Sequence, residues 1–291
     1  MRGFFLSQHD AWIRYHDVPG DGPTCVYLHG LGSASSADFP DVITHPPLAG
    51  HRAVLVDLLG FGFSDRPADF SYTLVDHAHT VIALLDDLGL TECALVGYSL
   101  GGSVAIALAA ARPDLVSRLV MAEGNLQPGP EEGSNAVFSR AMAAQSEEAF
   151  LETGYRELLG YLQAEAPEFA GGFLVADPRA VHRTAVSLVA SGHPTLYEQL
   201  LSLTMPRIYI FGQDSLQNED MAERASRLPE QGVRVLAIPD AGHDMGTRVD
   251  FAGAIGAALS DDGAEHGYEL TRAVLDQIRS RDLSEHAPKH K

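Results

Sequence analysis

Two periodicities alternate along the first half of the chain. Short apolar runs of strand length at 24–28, 53–56, 93–97 and 118–122 are separated by segments whose apolar positions recur at helical spacing. The clearest of these segments, 73–88, sets Leu74, His77, Val81, Leu84, Leu85 and Leu88 on one face. The Ala-rich stretch 103–111 reads as another helix, directly after the strand at 93–97. Strand and helix in alternation predict a parallel sheet with helices on both faces. Residues 3–7 and 11–16 read as an opening antiparallel pair.

From about 126 to 204 the rhythm breaks. No convincing β-branched strand occurs there, and the stretch reads as several helices rich in large apolar residues such as Phe138, Met142, Leu158, Phe169 and Phe173. The rhythm resumes with strands at 207–212 and 233–238 and a closing helix at 249–259. The expected organisation is a core of residues 1–125 and 205–260, a helical cap (lid) insertion of 126–204, and a C-terminal extension of 261–291. That extension holds an amphipathic helix at 266–282, with Leu270, Val274, Leu275 and Ile278 on one face, and a disordered end. The cap or this helix would either pack on the body or make a homodimer contact.

Composition narrows the partners. The chain has 291 residues, 45% hydrophobic and 20% charged, with a net charge of −19. An excess of carboxylates repels nucleic acid and anionic membrane surfaces, so neither is expected as a partner. The N-terminus lacks a secretory apolar region, and the longest apolar run, around 104–111, ends at Arg112 and Pro113, too short to span a bilayer. A soluble, cytoplasmic protein is the expectation. Cys25 and Cys93 both fall in predicted strands and read as buried small hydrophobes, and no metal-ligand motif occurs, so neither a metal nor an organic cofactor is expected.

The chemistry centres on Gly97-Tyr98-Ser99-Leu100-Gly101, a G-x-S-x-G sequence between a strand and a helix. In that context the motif means a nucleophile elbow: a turn tight enough to need small residues two before and two after the serine, which exposes its Oγ above the sheet. Three further motifs appear in order. They are His29-Gly30-Leu31-Gly32 after the third strand, Asp57 to Asp65 with its Gly60 and Gly62 after the fourth, and Gly242-His243-Asp244-Met245 after the last.

With these four motifs the chain resembles the α/β-hydrolase superfamily over roughly residues 3–259. The resemblance implies an α/β-hydrolase fold, a doubly wound, mostly parallel eight-stranded sheet carrying the cap. It implies Ser99 as nucleophile, His243 as its base, and the backbone N–H groups of Leu31 and Leu100 as an oxyanion hole. His29 is expected to tie its own loop down, and Asp244 to order its own.

The third catalytic group has two candidates. Many family members place an acid after the seventh strand, where this chain has Asp214, one residue earlier than their pattern. Some haloalkane dehalogenases and zearalenone-type lactonases instead carry a Glu at the end of the sixth strand, 24 residues after the nucleophile. Glu123 stands at that spacing (123 − 99 = 24). A carboxylate at the end of an apolar strand needs a partner, and an imidazole N–H is a natural one. Glu123 is favoured over Asp214.

The expected activity is hydrolysis of a carboxylic ester or lactone of a hydrophobic small molecule through an acyl-enzyme. Cofactor-free C–C bond hydrolysis with the same triad, and a non-catalytic ligand-binding protein on this fold, stand as alternatives. Dehalogenase and epoxide-hydrolase chemistry is disfavoured, because those relatives need an Asp where Ser99 stands.

Overall fold

A computed structural model describes residues 1–126, 134–190, 192–244, 249–260 and 268–270. Its strands are β1 (Arg2–Leu6), β2 (Ala11–Val18), β3 (Gly22–Leu28), β4 (His51–Asp57), β5 (Cys93–Tyr98), β6 (Val116–Ala122), β7 (Arg207–Gly212) and β8 (Val233–Ile238). They form one sheet in the order β1-β2-β4-β3-β5-β6-β7-β8. β2 pairs antiparallel with both β1 and β4, and every other pair is parallel.

The central strands read as apolar runs because both of their faces are covered. Alternate residues feed two separate cores. Val26, Leu28, Val54, Val56 and Leu95 join one, and Cys25, Tyr27, Ala53, Leu55 and Val96 join the other. Two short helices, α1 (Ser35–Asp38) and α2 (Pro40–Ile43), follow β3, and the longer α3 (Leu74–Asp87) and α4 (Leu100–Ala111) follow β4 and β5. Helix α3 is amphipathic and starts at Thr73, whose side chain accepts the N–H of Asp76. Helix α4 is apolar on nearly every side because it is buried nearly all round.

The described part of the stretch between β6 and β7 contains no strand and is mostly helical: α5 (Ser134–Ala143), α6 (Glu147–Ala149), a π turn (Phe150–Gly154), α7 (Tyr155–Glu165), α8 (Pro167–Val175), α9 (Pro178–Val189) and α10 (Leu196–Ser202). Beyond β7 lie α11 (Glu219–Arg227) and α12 (Val249–Leu259), the latter packing in the second core through Phe251 and Ile255. No helix among the described residues is long and apolar enough to cross a membrane.

The insertion is fastened to the sheet domain at several points. The Asp177 N–H donates to Gly60 O at 2.9 Å, the Leu74 N–H to the Ser187 hydroxyl at 3.0 Å, and the Arg183 guanidinium to Phe70 O at 2.7 Å while pairing with Glu147 at 2.7 Å. Gly32 shows how close the layers come. A Cβ there would lie 2.3 Å from the Phe173 ring of α8, at a φ of +70° that already favours glycine.

His77 sits fully buried at this seam. Its Nε2 lies 3.2 Å from the Thr184 hydroxyl, which itself donates to Tyr72 O, so Nε2–H is the donor to Thr184. Desolvation, helped by nearby His29 and opposed by Asp76, pushes the ring down to about 3 from an ordinary 6.5. Between those values the unfolded chain binds a proton that the folded chain refuses. The stability this neutral ring supports is therefore complete above pH 6.5 and falls by about 1.4 kcal/mol for each pH unit below it. His77→Phe is expected to flatten that slope. Urea unfolding at pH 7 and pH 5 should show the wild type losing about 2 kcal/mol more than the variant on acidification. Equal losses would mean that the buried ring is not held neutral.

One expectation changes. Residues 268–270 fall inside the anticipated C-terminal helix, yet they run along β8: Ala237 N–H donates to Tyr268 O, Leu270 N–H to Val235 O, and Glu269 bridges Leu236. β8 is an edge strand with unpaired backbone groups, and an extended segment satisfies them as a helix would not. The rest of the extension, 261–267 and 271–291, lies outside the described residues.

Candidate active site

The strand order reverses direction between β3 and β5, and in such sheets the crevice beyond the carboxyl ends of the strands receives ligands. Here β3 leads into the His29–Gly32 loop, β5 into Ser99, β6 into Glu123, and β8 into His243.

Ser99 is held with φ +51° and ψ −116°, a conformation that side-chain-bearing residues rarely adopt. The turn is fixed on both sides. The Ser99 N–H donates to Ala122 O at 2.8 Å, and the N–H of Gly102 returns to Ser99 O at 3.0 Å. The two motif glycines are steric necessities. A Cβ on Gly97 would lie 2.3 Å from Gly101 O, and one on Gly101 would lie 2.0 Å from Leu28 O. Leu100 opens α4, so its N–H belongs to the first turn and has no partner within the helix. Leu31 lines the cavity beside Ser99.

His243 Nε2 stands 3.1 Å from Ser99 Oγ, within hydrogen-bonding distance. Its Nδ1 faces Glu123 Oε2 at 3.6 Å, slightly too long for a hydrogen bond. The Glu123 side chain is entirely buried, and its other oxygen, Oε1, accepts the Gly212 N–H of β7 at 2.8 Å. Glu123 also has a positive φ, +50°, and its N–H donates to Ile210 O at 3.0 Å. The end of β6 is thus bent so that a carboxylate is anchored on β7 and presented to the imidazole. Asp214 is placed differently. It is exposed, its N–H donates to Ala241 O at 2.8 Å, and no contact joins its carboxyl to His243 among the described residues.

Two supports match the sequence reading. His29 Nδ1–H donates to Gly30 O at 2.7 Å while Nε2 accepts the Leu58 N–H at 3.0 Å, tying the Gly-Leu-Gly loop to the end of β4. Asp244 accepts the N–H of Gly242 at 3.0 Å. Met245, the last residue of that motif, lies outside the described residues. His182 and His193 do not join the site. His182 Nε2 contacts Gln145 O, and His193 is exposed beside Glu198.

Sequence reasoning passed over Tyr98, which stood in the motif only as a variable position. Its hydroxyl donates to the backbone carbonyl of His243, and its ring stacks on the imidazole with centroids 5.5 Å apart and planes 26° from parallel. Only the folded chain brings these two residues, 145 positions apart, together.

A cavity of about 620 Å³ opens on Ser99 and His243. The insertion supplies much of its apolar wall, including Phe138, Met142, Leu162, Phe169 and Phe173. Among the described residues, no group of three or more side chains suited to a metal ion occurs.

Residues 23–246 match the model of a family described as the alpha/beta hydrolase fold. The chain is 38% identical over 106 residues to a 2-hydroxymuconate semialdehyde hydrolase of Pseudomonas putida, a match spanning 36% of this chain and 37% of that protein. It thus aligns with less than two-fifths of the length of the first curated relatives it matches. It is 29% identical over 259 residues, 79% of either chain, to the sn-1-specific diacylglycerol lipase ABHD11 of Mus musculus. Among solved structures, an esterase from Exiguobacterium antarcticum superposes with a TM-score of 0.70 at 22% identity, covering 87% of this chain and 97% of that one, a likeness of fold.

Proposed function

This chain belongs to the alpha/beta hydrolase fold family, and on that premise we propose that it is a serine hydrolase cleaving a carboxylic ester or lactone of a hydrophobic small molecule. The observation that carries the reading is the 3.1 Å contact between Ser99 Oγ and His243 Nε2 at the floor of a largely apolar cavity.

A serine hydroxyl at its ordinary pKa is a weak nucleophile, and a base within hydrogen-bonding reach activates it. Ser99 Oγ attacks the carbonyl carbon as its proton passes to His243 Nε2. The N–H groups of Leu31 and Leu100 stabilise the oxyanion of the tetrahedral intermediate, each contributing about 3–4 kcal/mol to lowering the barrier. The imidazolium then returns the proton to the leaving alkoxide, which departs as the alcohol and leaves Ser99 acylated. Water attacks the acyl group by the same route in reverse, releasing the acid and restoring the serine. Glu123 holds Nδ1–H towards itself, which fixes the tautomer and stabilises the imidazolium. At 3.6 Å only a small turn of the ring separates the pair from a hydrogen bond in the charged state. The insertion acts as a lid that keeps water away from these dipoles and presents apolar walls to the substrate. A relative named a lipase and a structural neighbour named an esterase accord with ester chemistry.

A panel of aliphatic esters and lactones tests the proposal. Medium-chain neutral esters are expected to exceed acetate esters in kcat/KM by about tenfold or more, since each buried methylene adds roughly 0.8 kcal/mol. No turnover of any ester or lactone by folded protein would overturn it.

Tyr98 is a positioning residue in this scheme. Tyr98→Phe keeps the stacked ring and removes the hydroxyl that holds the His243 carbonyl. It is expected to lower kcat by about tenfold with KM little changed, the pattern of an interaction used in the transition state. A change confined to KM would give Tyr98 a substrate-binding role instead.

A further inference from the structure

The turn that carries the Leu31 N–H is gripped at both of its ends by a single carboxylate. Residues 30–33 close this turn through the Ser33 N–H, which donates to Gly30 O at 3.2 Å. Leu31 and Gly32 form its tip, and Gly32 has the positive φ, +70°, that the second central position of such a turn reserves for glycine. The Leu31 N–H has no hydrogen-bond partner among the described residues. The turn lines the cavity and lies against the nucleophile: a Cβ on Gly30 would stand 3.2 Å from the Tyr98 ring and 3.5 Å from Ser99 Cβ.

Asp38, the last residue of α1, reaches back to this turn. Its Oδ1 accepts the Ser33 hydroxyl at 2.5 Å, and the Gly30 N–H also stabilises the carboxylate. Ser33 and Gly30 are the two ends of the turn, so one rigid planar group spans it. Burial pushes the Asp38 carboxyl above the usual carboxylate range, against the pull of the Ser33 hydroxyl and, more weakly, of His29 and the Gly30 N–H. Burying a carboxylate is costly unless partners offset it, and here the partners are the two ends of the turn. Helix α1 is itself tied to the sheet. The Ser35 hydroxyl donates to Tyr27 O of β3 at 3.0 Å, and the Ser36 N–H and hydroxyl each donate to the Asp57 carboxyl of β4 at 3.0 Å. Asp38 thus links the frame of the sheet to the turn.

Other contacts press on the turn without spanning it. His29 Nδ1–H holds only the Gly30 carbonyl, and α8 bears on the tip from outside, where a Cβ on Gly172 would lie 2.2 Å from Gly32 O. A backbone dipole stabilises a developing oxyanion to the extent that its direction is fixed before the reaction. We propose that Asp38 is a positioning residue for the oxyanion hole, its carboxyl holding Gly30 and Ser33 so that the Leu31 N–H points at the carbonyl oxygen of a substrate on Ser99. This deepens the serine-hydrolase reading and rests on it. Asp38 touches no reacting atom and acts through the turn alone.

Replacing the carbonyl oxygen of the substrate by sulfur probes the hole by itself, because an N–H bonds a thiono sulfur poorly. Phenyl hexanoate is set against phenyl thionohexanoate, each kcat/KM taken relative to hydrolysis of the same compound by hydroxide. The two differ in one atom, so packing against the insertion cancels from their ratio. The wild type should prefer the oxygen ester. In Asp38→Leu the kcat for phenyl hexanoate is expected to fall by about tenfold to hundredfold with KM little changed, part of the roughly 10²- to 10³-fold cost of losing a donor outright. The preference for oxygen over sulfur should fall by a similar factor. Asp38→Asn keeps an acceptor for the Ser33 hydroxyl and should restore most of both. Ser33→Ala frees one end of the turn and should lower both by less. Adding it to Asp38→Leu should cost little more, since residues that act through one contact are not additive.

Thermal unfolding establishes that each variant is folded. Ser33→Ala removes a single hydroxyl and carries the test if Asp38→Leu does not fold. An equal loss of both rates, which leaves the preference for oxygen unchanged, would give Asp38 a merely structural role and overturn the positioning. A loss confined to KM, or full activity in a folded Asp38→Leu protein, would overturn it as well. In each of these results the ester is still turned over, so the serine-hydrolase reading stands. Absence of turnover of any ester or lactone by the folded wild type would instead remove that reading and the positioning with it.

Discussion

Ser99→Ala protein is expected to fold as the wild type does and to lose ester turnover by about 10⁶-fold, the loss seen when a serine nucleophile is removed from a working triad. The substitution deletes one oxygen. It leaves the backbone bonds of the elbow, Ser99 N–H to Ala122 O and Gly102 N–H to Ser99 O, in place, and Ala tolerates the positive φ no worse than Ser. Circular dichroism and thermal unfolding should therefore match the wild type while the hydrolysis rate falls to background. Any residual rate above the uncatalysed one would come from the N–H groups of Leu31 and Leu100 and from binding alone. Wild-type-like turnover by folded Ser99→Ala protein would remove Ser99 from the chemistry.

The second large effect is expected at Glu123. Glu123→Gln retains an oxygen to accept the Gly212 N–H, so the bend at the end of β6 should survive. The substitution can place an amide donor towards His243 Nδ1, favouring the tautomer whose Nε2 carries the proton and cannot accept one from Ser99. A loss in kcat of about 10⁴-fold is expected, as for Asp→Asn in the serine-protease triad. Asp214→Asn should cost tenfold or less, as substitutions at exposed positions commonly do. The opposite ranking in parallel kcat measurements would assign the acid to Asp214 and leave Glu123 a structural role.

How far the sequence carried the account depended on how local each constraint was. The sheet was legible because a strand covered on both faces must be apolar throughout, as the run Cys93 to Tyr98 is. The elbow was legible because the close approach of Gly97 and Gly101 to backbone atoms admits no side chain, which leaves a recognisable spacing. Glu123 was a different case. Its strand position and the 24-residue spacing pointed to it through a family resemblance, whereas its burial, its bond to Gly212 and its approach to His243 are tertiary facts.

Other features left no local trace. Tyr98 meets His243 across 145 residues, and a variable motif position gives no hint of that contact. The two short helices α1 and α2 carry no repeating apolar pattern, so they could not be anticipated. The insertion was readable as helical, but its close packing on the sheet domain at Gly32 and Gly60 was not. At the far end, an amphipathic pattern suggested a helix where residues 268–270 instead satisfy the exposed edge of β8. At those three residues the edge strand's backbone takes the partners that a helix would have kept for itself.

The central claim is that Ser99 is a nucleophile activated by His243. Reaction of the folded protein with a fluorophosphonate, followed by intact mass and peptide mapping, tests it most directly. The account predicts one covalent adduct per chain, on Ser99, absent from Ser99→Ala and formed far more slowly in His243→Ala. A folded, ester-hydrolysing protein that takes no adduct, or takes it on another residue, would contradict the account.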